Sequence, residues 1–386
     1  MAARMAQLAP SATLRINALA KELQSQGKPV LSFATGEPDF PTPPQIIAAA
    51  EVAMRSGKTK YTATPGIPEL RRAVADRFRR NYQVDYEPAE IIIGAGGKQE
   101  LYNLCQVILN PGDEVIIFSP YWVSYPEMVK LAGGIPVIVE GGIETGFVPT
   151  LAAVEAAITK RTKAIIVNSP NNPTGAVYPR DYLQALGQLA VNYNLLLVSD
   201  EIYDDLVYDG AHTCIAALSP EIRERTITIG GVSKSFSMTG WRLGWAAGPA
   251  PIIKAMTDLQ SHSTSNPSSI SQYAALAGLT QDIPELAMMQ AAFRRRRDLM
   301  FEQLARVKGF SLILPQGAFY LFIDLRQTPG YTTSEEFCAQ LLSEQLVAAV
   351  PGEAFGAPGY FRLSYATAES DIIEGCRRIA EFIARR

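Results

Sequence analysis

Leu195-Leu196-Leu197-Val198-Ser199-Asp200-Glu201-Ile202-Tyr203 is an apolar run closed by two acids and a tyrosine. Its aliphatic residues do not alternate with polar ones. That describes a strand covered on both faces, as in the parallel sheet of an α/β domain. Ligands of such sheets bind beyond the carboxyl ends of the strands, which is where Asp200 falls. A strand-end aspartate also commonly caps the next helix, so position alone leaves both roles open.

Similar runs occur on either side of it, at 91–93, 115–118, 135–139, 164–167, 226–229 and 243–246. Between the first two, 98–109 places Leu101, Leu104, Cys105 and Ile108 on one helical face, and Pro111-Gly112 stops that helix. The alternation predicts an α/β domain with a mostly parallel sheet. The C-terminal third changes rhythm. A long helix is expected over 284–307, then strands at 311–314 and 318–324, a helix at 334–344, a strand at 360–365 and a last helix. That is a smaller α+β domain, with the long helix joining it to the first. A chain of 386 residues suits two such domains. Near the N-terminus, Phe33-Ala34-Thr35-Gly36-Glu37-Pro38-Asp39-Phe40-Pro41-Thr42-Pro43 is too rich in proline for a regular element. It predicts a fixed loop, either a domain crossover or a wall of a binding site.

Composition narrows the function classes. Net charge is −3, and the one basic run, Arg294 to Arg297, lies in a helical stretch and reads as a solvated or domain-linking face rather than a nucleic-acid patch. Four widely spaced cysteines form no Cys-x-x-Cys pair, and two histidines are too few for a His-based metal site. No apolar stretch has the length of a signal peptide or membrane span, so the cytoplasm is the expected location.

The segment with the most chemical content is Gly230-Gly231-Val232-Ser233-Lys234-Ser235-Phe236-Ser237-Met238-Thr239-Gly240-Trp241-Arg242. An amine in small, uncharged surroundings loses solvation, which favours its neutral, nucleophilic form. Such a lysine can form an imine with an aldehyde. Arg242 has the planar fork that grips a phosphate. Together they point to pyridoxal phosphate. Asp200 would then keep the ring nitrogen protonated, and Tyr203 could donate to the ring oxygen. Asn168-Ser169-Pro170-Asn171-Asn172-Pro173-Thr174-Gly175 is a tight loop that turns Asn172 toward the same crevice. Gly94-Ala95-Gly96-Gly97-Lys98-Gln99 is a strand-to-helix glycine turn whose free N–H groups suit an anion. It is neither the dinucleotide fingerprint nor a P-loop, because Gln99 stands where each needs another residue. Arg362, among apolar neighbours, is the best candidate to hold a substrate carboxylate.

In this order along nearly the whole chain, these segments resemble the class I aminotransferases of the fold-type-I pyridoxal-phosphate enzymes. Within them, the thermophile-type subgroup of bacterial aspartate enzymes is the most similar. The resemblance runs from Pro10-Ser11-Ala12-Thr13 through Gly36-Glu37-Pro38-Asp39 to Arg362. It implies a large cofactor domain over 46–290 and a small domain made of 1–45 and 291–386. It also implies that Lys234 is the cofactor-binding lysine and proton carrier, with Asp200 at the ring nitrogen and Tyr203 and Asn172 at the ring oxygen. Arg242 and the backbone of Gly96, Gly97 and Lys98 would hold the phosphate, Trp122 would stack on the ring, and Gly36 and Arg362 would take the substrate carboxylate. Tyr61 would reach the phosphate of a partner subunit, making the protein a homodimer with shared sites.

One departure bears on the substrate. Animal-type aspartate enzymes take the second carboxylate with a partner arginine ahead of a Ser-Asn-Pro segment. Here Ser265-Asn266-Pro267 is present, but Ser261 stands at the corresponding position, and Lys98 is the expected replacement. Ala9 occupies the place of a basic residue found in prephenate-using members, which implies poor use of prephenate. The expected reaction is ping-pong transfer from aspartate to 2-oxoglutarate. Aromatic or alanine-like substrates, or a carbon–sulfur lyase reaction, share most of these motifs. A cofactor-binding transcription regulator would need a DNA-binding helix-turn-helix, for which there is no room before Pro10.

Overall fold

The computed structural model describes residues 2, 5, 6, 8, 12–328, 330 and 333–385. Ala9, at the place of the basic residue of prephenate-using members, and Pro10 and Ser11 lie outside the described residues.

Strands are numbered along the chain. β1 (Leu31–Ser32) stands apart from the central sheet, which contains β2 (Ile91–Gly94), β3 (Glu114–Ser119), β4 (Ile135–Glu140), β5 (Thr162–Asn168), β6 (Leu196–Asp200), β7 (Thr226–Gly231) and β8 (Gly244–Ala247). Their order is β2-β8-β7-β6-β5-β3-β4. All seven strands expected from the sequence are present. Neighbours from β4 across to β7 pair in parallel, and β8 runs antiparallel to both β2 and β7. β2, β3, β7 and β8 are buried along their whole length, whereas edge strand β4 is largely open. The chain leaves β3 for β4 on one side and returns as β5 on the other. A crevice therefore opens at the carboxyl ends of β3 and β5, the switch point where ligands of open α/β sheets bind.

Past the long helix Glu285–Leu304 come β9 (Ser311–Leu312), β10 (Tyr320–Asp324), β11 (Val347–Ala348), β12 (Val350–Pro351) and β13 (Tyr360–Ser364). β12, β13, β10 and β9 form an antiparallel sheet, while β11 pairs in parallel with β1 and so ties the N-terminal segment to the C-terminal part. Phe33, Phe293, Phe319, Phe337 and Phe361 pack in one core there. The central sheet has separate cores on its two faces.

The four arginines of the long helix are more specific than a solvated face. Arg296 and Arg297 are buried. Arg296 pairs with Asp39 at 2.7 Å and Arg297 with Asp209 at 2.5 Å, so the helix pins the loop at 33–43 and the segment after β6. An i, i+1 pair on a helix diverges by about 100°. Neighbouring arginines can therefore meet acids on two different segments.

Candidate active site

The crevice at the strand ends is a cleft of about 400 Å³ lined by residues from nine separated segments. Gly36, Gly96, Gly97, Lys98, Trp122, Asn172, Asp200, Tyr203, Lys234, Arg242 and Arg362 all line it. Tyr61 does not line it in the same chain, and the residue is 91% exposed.

Asp200 ends β6 and is buried. Its Oδ2 accepts the Tyr125 hydroxyl at 2.6 Å, and Oδ1 accepts the Ile202 N–H at 3.3 Å. Burial raises its pKa to about 6, against the lowering effect of these two donors. Lys234 lies on the segment after β7, and its Nζ donates to the Gly36 carbonyl at 2.6 Å. Burial brings its amine down to about 8, with Glu37 pulling up and Arg362 and Arg242 pushing down. Both groups thus sit near neutrality, where a small change in surroundings moves a proton.

The helix Gly97–Ile108 opens directly off β2 through Gly96, whose φ is 92°. Its first amides have no carbonyl within the helix to bond, and together with the helix dipole they face an incoming anion. Arg242 crosses this turn, donating to Ala95 O at 3.2 Å and to Thr239 O at 2.9 Å. A Cβ at position 96 would lie 2.7 Å from Arg242 Nη2, so glycine there is what lets the guanidinium approach. Lys98 Nζ stands 4.6 Å from the centre of the Trp122 ring, which turns it along the cleft wall, and burial together with Arg242 lowers its pKa.

Arg362, on β13, is fully buried. It donates to Asn172 Oδ1 at 2.8 Å and to Ala34 O at 2.9 Å and stacks on Tyr320 at 4.3 Å, while its Nε has no partner among the described residues. A guanidinium so stripped of water has donor capacity to offer a carboxylate. The loop at 33–43 proves to be a wall of the cleft, through Thr35, Gly36 and Glu37.

Sequence reasoning missed the residues that hold these groups in place. Tyr125 follows Trp122 by one helical turn, and that spacing was the available signal. Tyr320 bonds the Tyr203 hydroxyl at 2.9 Å. Asn168 donates to Asp200 O and accepts from the Asn172 N–H, each at 2.9 Å, locking the loop after β5 to the end of β6. Thr13 and Asn17 reach the cleft from the N-terminal helix Ala12–Ser25. Thr13 stands in the Pro10-Ser11-Ala12-Thr13 segment of the resemblance, which gave it no role, and nothing short of the tertiary fold marks Asn17.

The model of the family described as aminotransferase class I and II matches residues 28–379. The aspartate aminotransferase of Geobacillus stearothermophilus is 52% identical, across 100% of this chain and 99% of its own. The aspartate/prephenate aminotransferase of Thermus thermophilus is 49% identical over 99% of this chain and 98% of its own. A solved Thermus thermophilus aspartate aminotransferase with maleate superposes with a TM-score of 0.95 at 48% identity, covering 99% of each chain. The chain belongs to the class I and II aminotransferases, enzymes that pass an amino group between an amino acid and a keto acid.

Proposed function

We propose that this aminotransferase uses pyridoxal 5′-phosphate and moves the amino group of L-aspartate to 2-oxoglutarate, giving oxaloacetate and L-glutamate. The observation that carries the reading is the sharing of one cleft by a lysine amine lowered to about 8, a buried aspartate and a glycine turn crossed by an arginine. The residues fit the cofactor. Lys234 suits its aldehyde, Asp200 its ring nitrogen, Tyr203 and Asn172 its ring oxygen and Trp122 its ring face. Arg242 with the Gly96, Gly97 and Lys98 backbone suits its phosphate. When bound, pyridoxal phosphate supplies an electron sink for the pair left at the substrate Cα when its proton departs.

The protein's part is placement and proton traffic. Arg362 takes the α-carboxylate with both arms of its fork, helped by Gly36 and the Asn172 amide. This aims the Cα–H bond toward Lys234, which removes the proton and returns it one position away. An amine near neutrality both accepts and releases that proton. Asp200 remains ionised to hold a proton on the ring nitrogen, and its bond from Tyr125 favours that ionised state. Lys98 takes the distal carboxylate at the mouth of the cleft, which sets the preference for a dicarboxylic substrate. The aspartate relatives named above support that preference.

A large domain over 46–290 and a small domain of 1–45 with 291–386 fit the separate apolar cores. A homodimer, with Tyr61 of each copy completing the other's phosphate site, is supported by that ring's exposure and by exposed Val52, Met54 and Tyr102. The four buried free thiols suit the reducing cytoplasm.

The test is borohydride reduction of purified enzyme followed by mass spectrometry, then aspartate added alone to unreduced enzyme. The expected results are a pyridoxyl group on Lys234, and stoichiometric oxaloacetate as the cofactor absorbance shifts to its amine form. A modification elsewhere, or no oxaloacetate, refutes the reading.

A further inference from the structure

Glu100 lies in the first turns of the helix Gly97–Ile108, beneath the glycine turn, and has no part in the mechanism above. It is wholly buried, and among the described residues neither carboxyl oxygen has a hydrogen-bond partner. The carboxyl group packs on Gly94 so closely that a methyl group there would overlap it. The turn is then tied over it: Gly96 N–H bonds Gly94 O at 2.8 Å, and Gln99 Oε1 accepts the Ala95 N–H.

An ionised carboxylate without water or donors is too costly to keep, and such a group stays protonated. Burial alone raises the Glu100 carboxyl well above its usual range. Among the described residues no cation is hydrogen-bonded or ion-paired to it. β2, β7 and β8, which pack on this helix, carry no ionisable side chain. Of the two helices packed on it, Ser124–Leu131 brings Lys130 and Glu127, paired at 2.9 Å, and Tyr125, engaged by Asp200. The other, Ala250–Ser261, brings Lys254 and Asp258, paired at 2.6 Å. On its own helix stand Lys98, Tyr102 and Cys105, and Arg242 crosses the turn, engaged by Ala95 O and Thr239 O. An ionised acid this near a helix N-terminus would satisfy the dipole itself and repel a second anion.

We propose that Glu100 is a positioning residue of the anion cradle: its uncharged carboxyl group wedges the glycine turn and leaves the helix N-terminus free to receive a phosphate. Ionised Glu100 and a bound phosphate exclude one another. The inference rests on the reading of this turn as the cofactor's phosphate site.

The test is the affinity of the cofactor-free full-length protein for pyridoxal phosphate, and separately for inorganic phosphate as competitor, from about pH 6 to about pH 10. The Glu100→Gln and Glu100→Ala variants are measured alongside. The unaltered protein should lose at least about tenfold more affinity across this range than Glu100→Gln. Glu100→Gln should keep the affinity seen at the acid end, and Glu100→Ala should bind more weakly throughout without the extra slope. Neither replacement can ionise, so whichever folds serves the comparison. Equal slopes with and without Glu100 overturn the inference while leaving the cofactor site intact. Absence of binding by the unaltered protein, or an adduct away from Lys234, refutes the site itself.

Discussion

Tyr125→Phe removes one oxygen, the donor of the 2.6 Å bond to Asp200 Oδ2, and leaves the ring in place. A hydrogen bond to a charged group contributes about 1.5–3 kcal/mol. At 1.36 kcal/mol per pKa unit, losing it should lift Asp200 by about one to two units above its present value. That value, about 6, is already raised from an ordinary 3.8. Because the folded state holds the proton more tightly, this group's contribution is fully present below about pH 4 and is lost as pH rises through the folded pKa. In cofactor-free protein the loss should be about 3 kcal/mol and complete just above pH 6. In Tyr125→Phe it should grow to about 4–6 kcal/mol and run on to about pH 7–8. Unfolding by urea at a series of pH values measures this, with Asp200→Asn as the reference curve so that other titrating groups cancel. In the loaded enzyme the acid limb of kcat/KM should move the same way. A Tyr125→Phe curve that coincides with the unaltered one would refute the claim that this hydroxyl holds Asp200 ionised.

Lys98→Ala should lower kcat/KM for aspartate by about a hundredfold, the scale of one charge-assisted hydrogen bond, and for alanine by less than about threefold; equal losses would remove Lys98 from substrate selection. Gly96→Ala combines φ of 92° with a Cβ 2.7 Å from Arg242 Nη2, so pyridoxal-phosphate affinity in equilibrium dialysis should fall at least about tenfold. Tyr320→Phe leaves the buried Tyr203 hydroxyl without its 2.9 Å partner and should cost about 1 kcal/mol in urea unfolding, with a lower kcat at little changed KM. Asp209→Asn should destabilise the protein by about 1–3 kcal/mol, because buried Arg297 loses one of the two carboxylates it faces and keeps only Asp298; an unchanged midpoint would contradict that.

The central sheet was legible because strands covered on both faces must be largely apolar, and seven apolar runs punctuate 91–247; antiparallel β8 and the open edge strand β4 carry the same signature. Reading outward from Asp200 also gave the cleft, since strand ends in this architecture converge. What stayed hidden depends on distance in sequence. The Tyr125–Asp200 bond spans 75 residues, Tyr203–Tyr320 spans 117 and Lys234–Gly36 spans 198. No local pattern encodes such pairs. The partners of the arginine run were hidden for the same reason: it read as a solvated or domain-linking face, and Asp39, which answers Arg296, lies 257 residues away. Tyr61 looks like a loop aromatic in a single chain, and its 91% exposure leaves it without a structural role there.

The cleft follows one electrostatic logic. A buried acid and a buried amine each resist their charge, and here both are held close to the point of giving it up. Were Asp200 and Lys234 in direct contact they would form an ion pair and neither would react. Instead Asp200 is given a phenol and one amide, and Lys234 a backbone carbonyl. These neutral partners offset only part of the cost of burial. A ligand that brings a basic nitrogen to one and an aldehyde carbon to the other relieves both at once, so its binding free energy is drawn partly from strain already present in the protein. The unpartnered Arg362 Nε and the uncapped start of the helix Gly97–Ile108 belong to the same scheme, since each is a buried or oriented donor awaiting an anion. On this view, cofactor and substrate should stabilise the folded chain by more than their contact area suggests. Asp200→Asn, which removes one of the two waiting charges, should make the cofactor-free protein more stable while weakening its hold on pyridoxal phosphate. A variant that lost stability and affinity together would show that Asp200 is held at no cost to the fold.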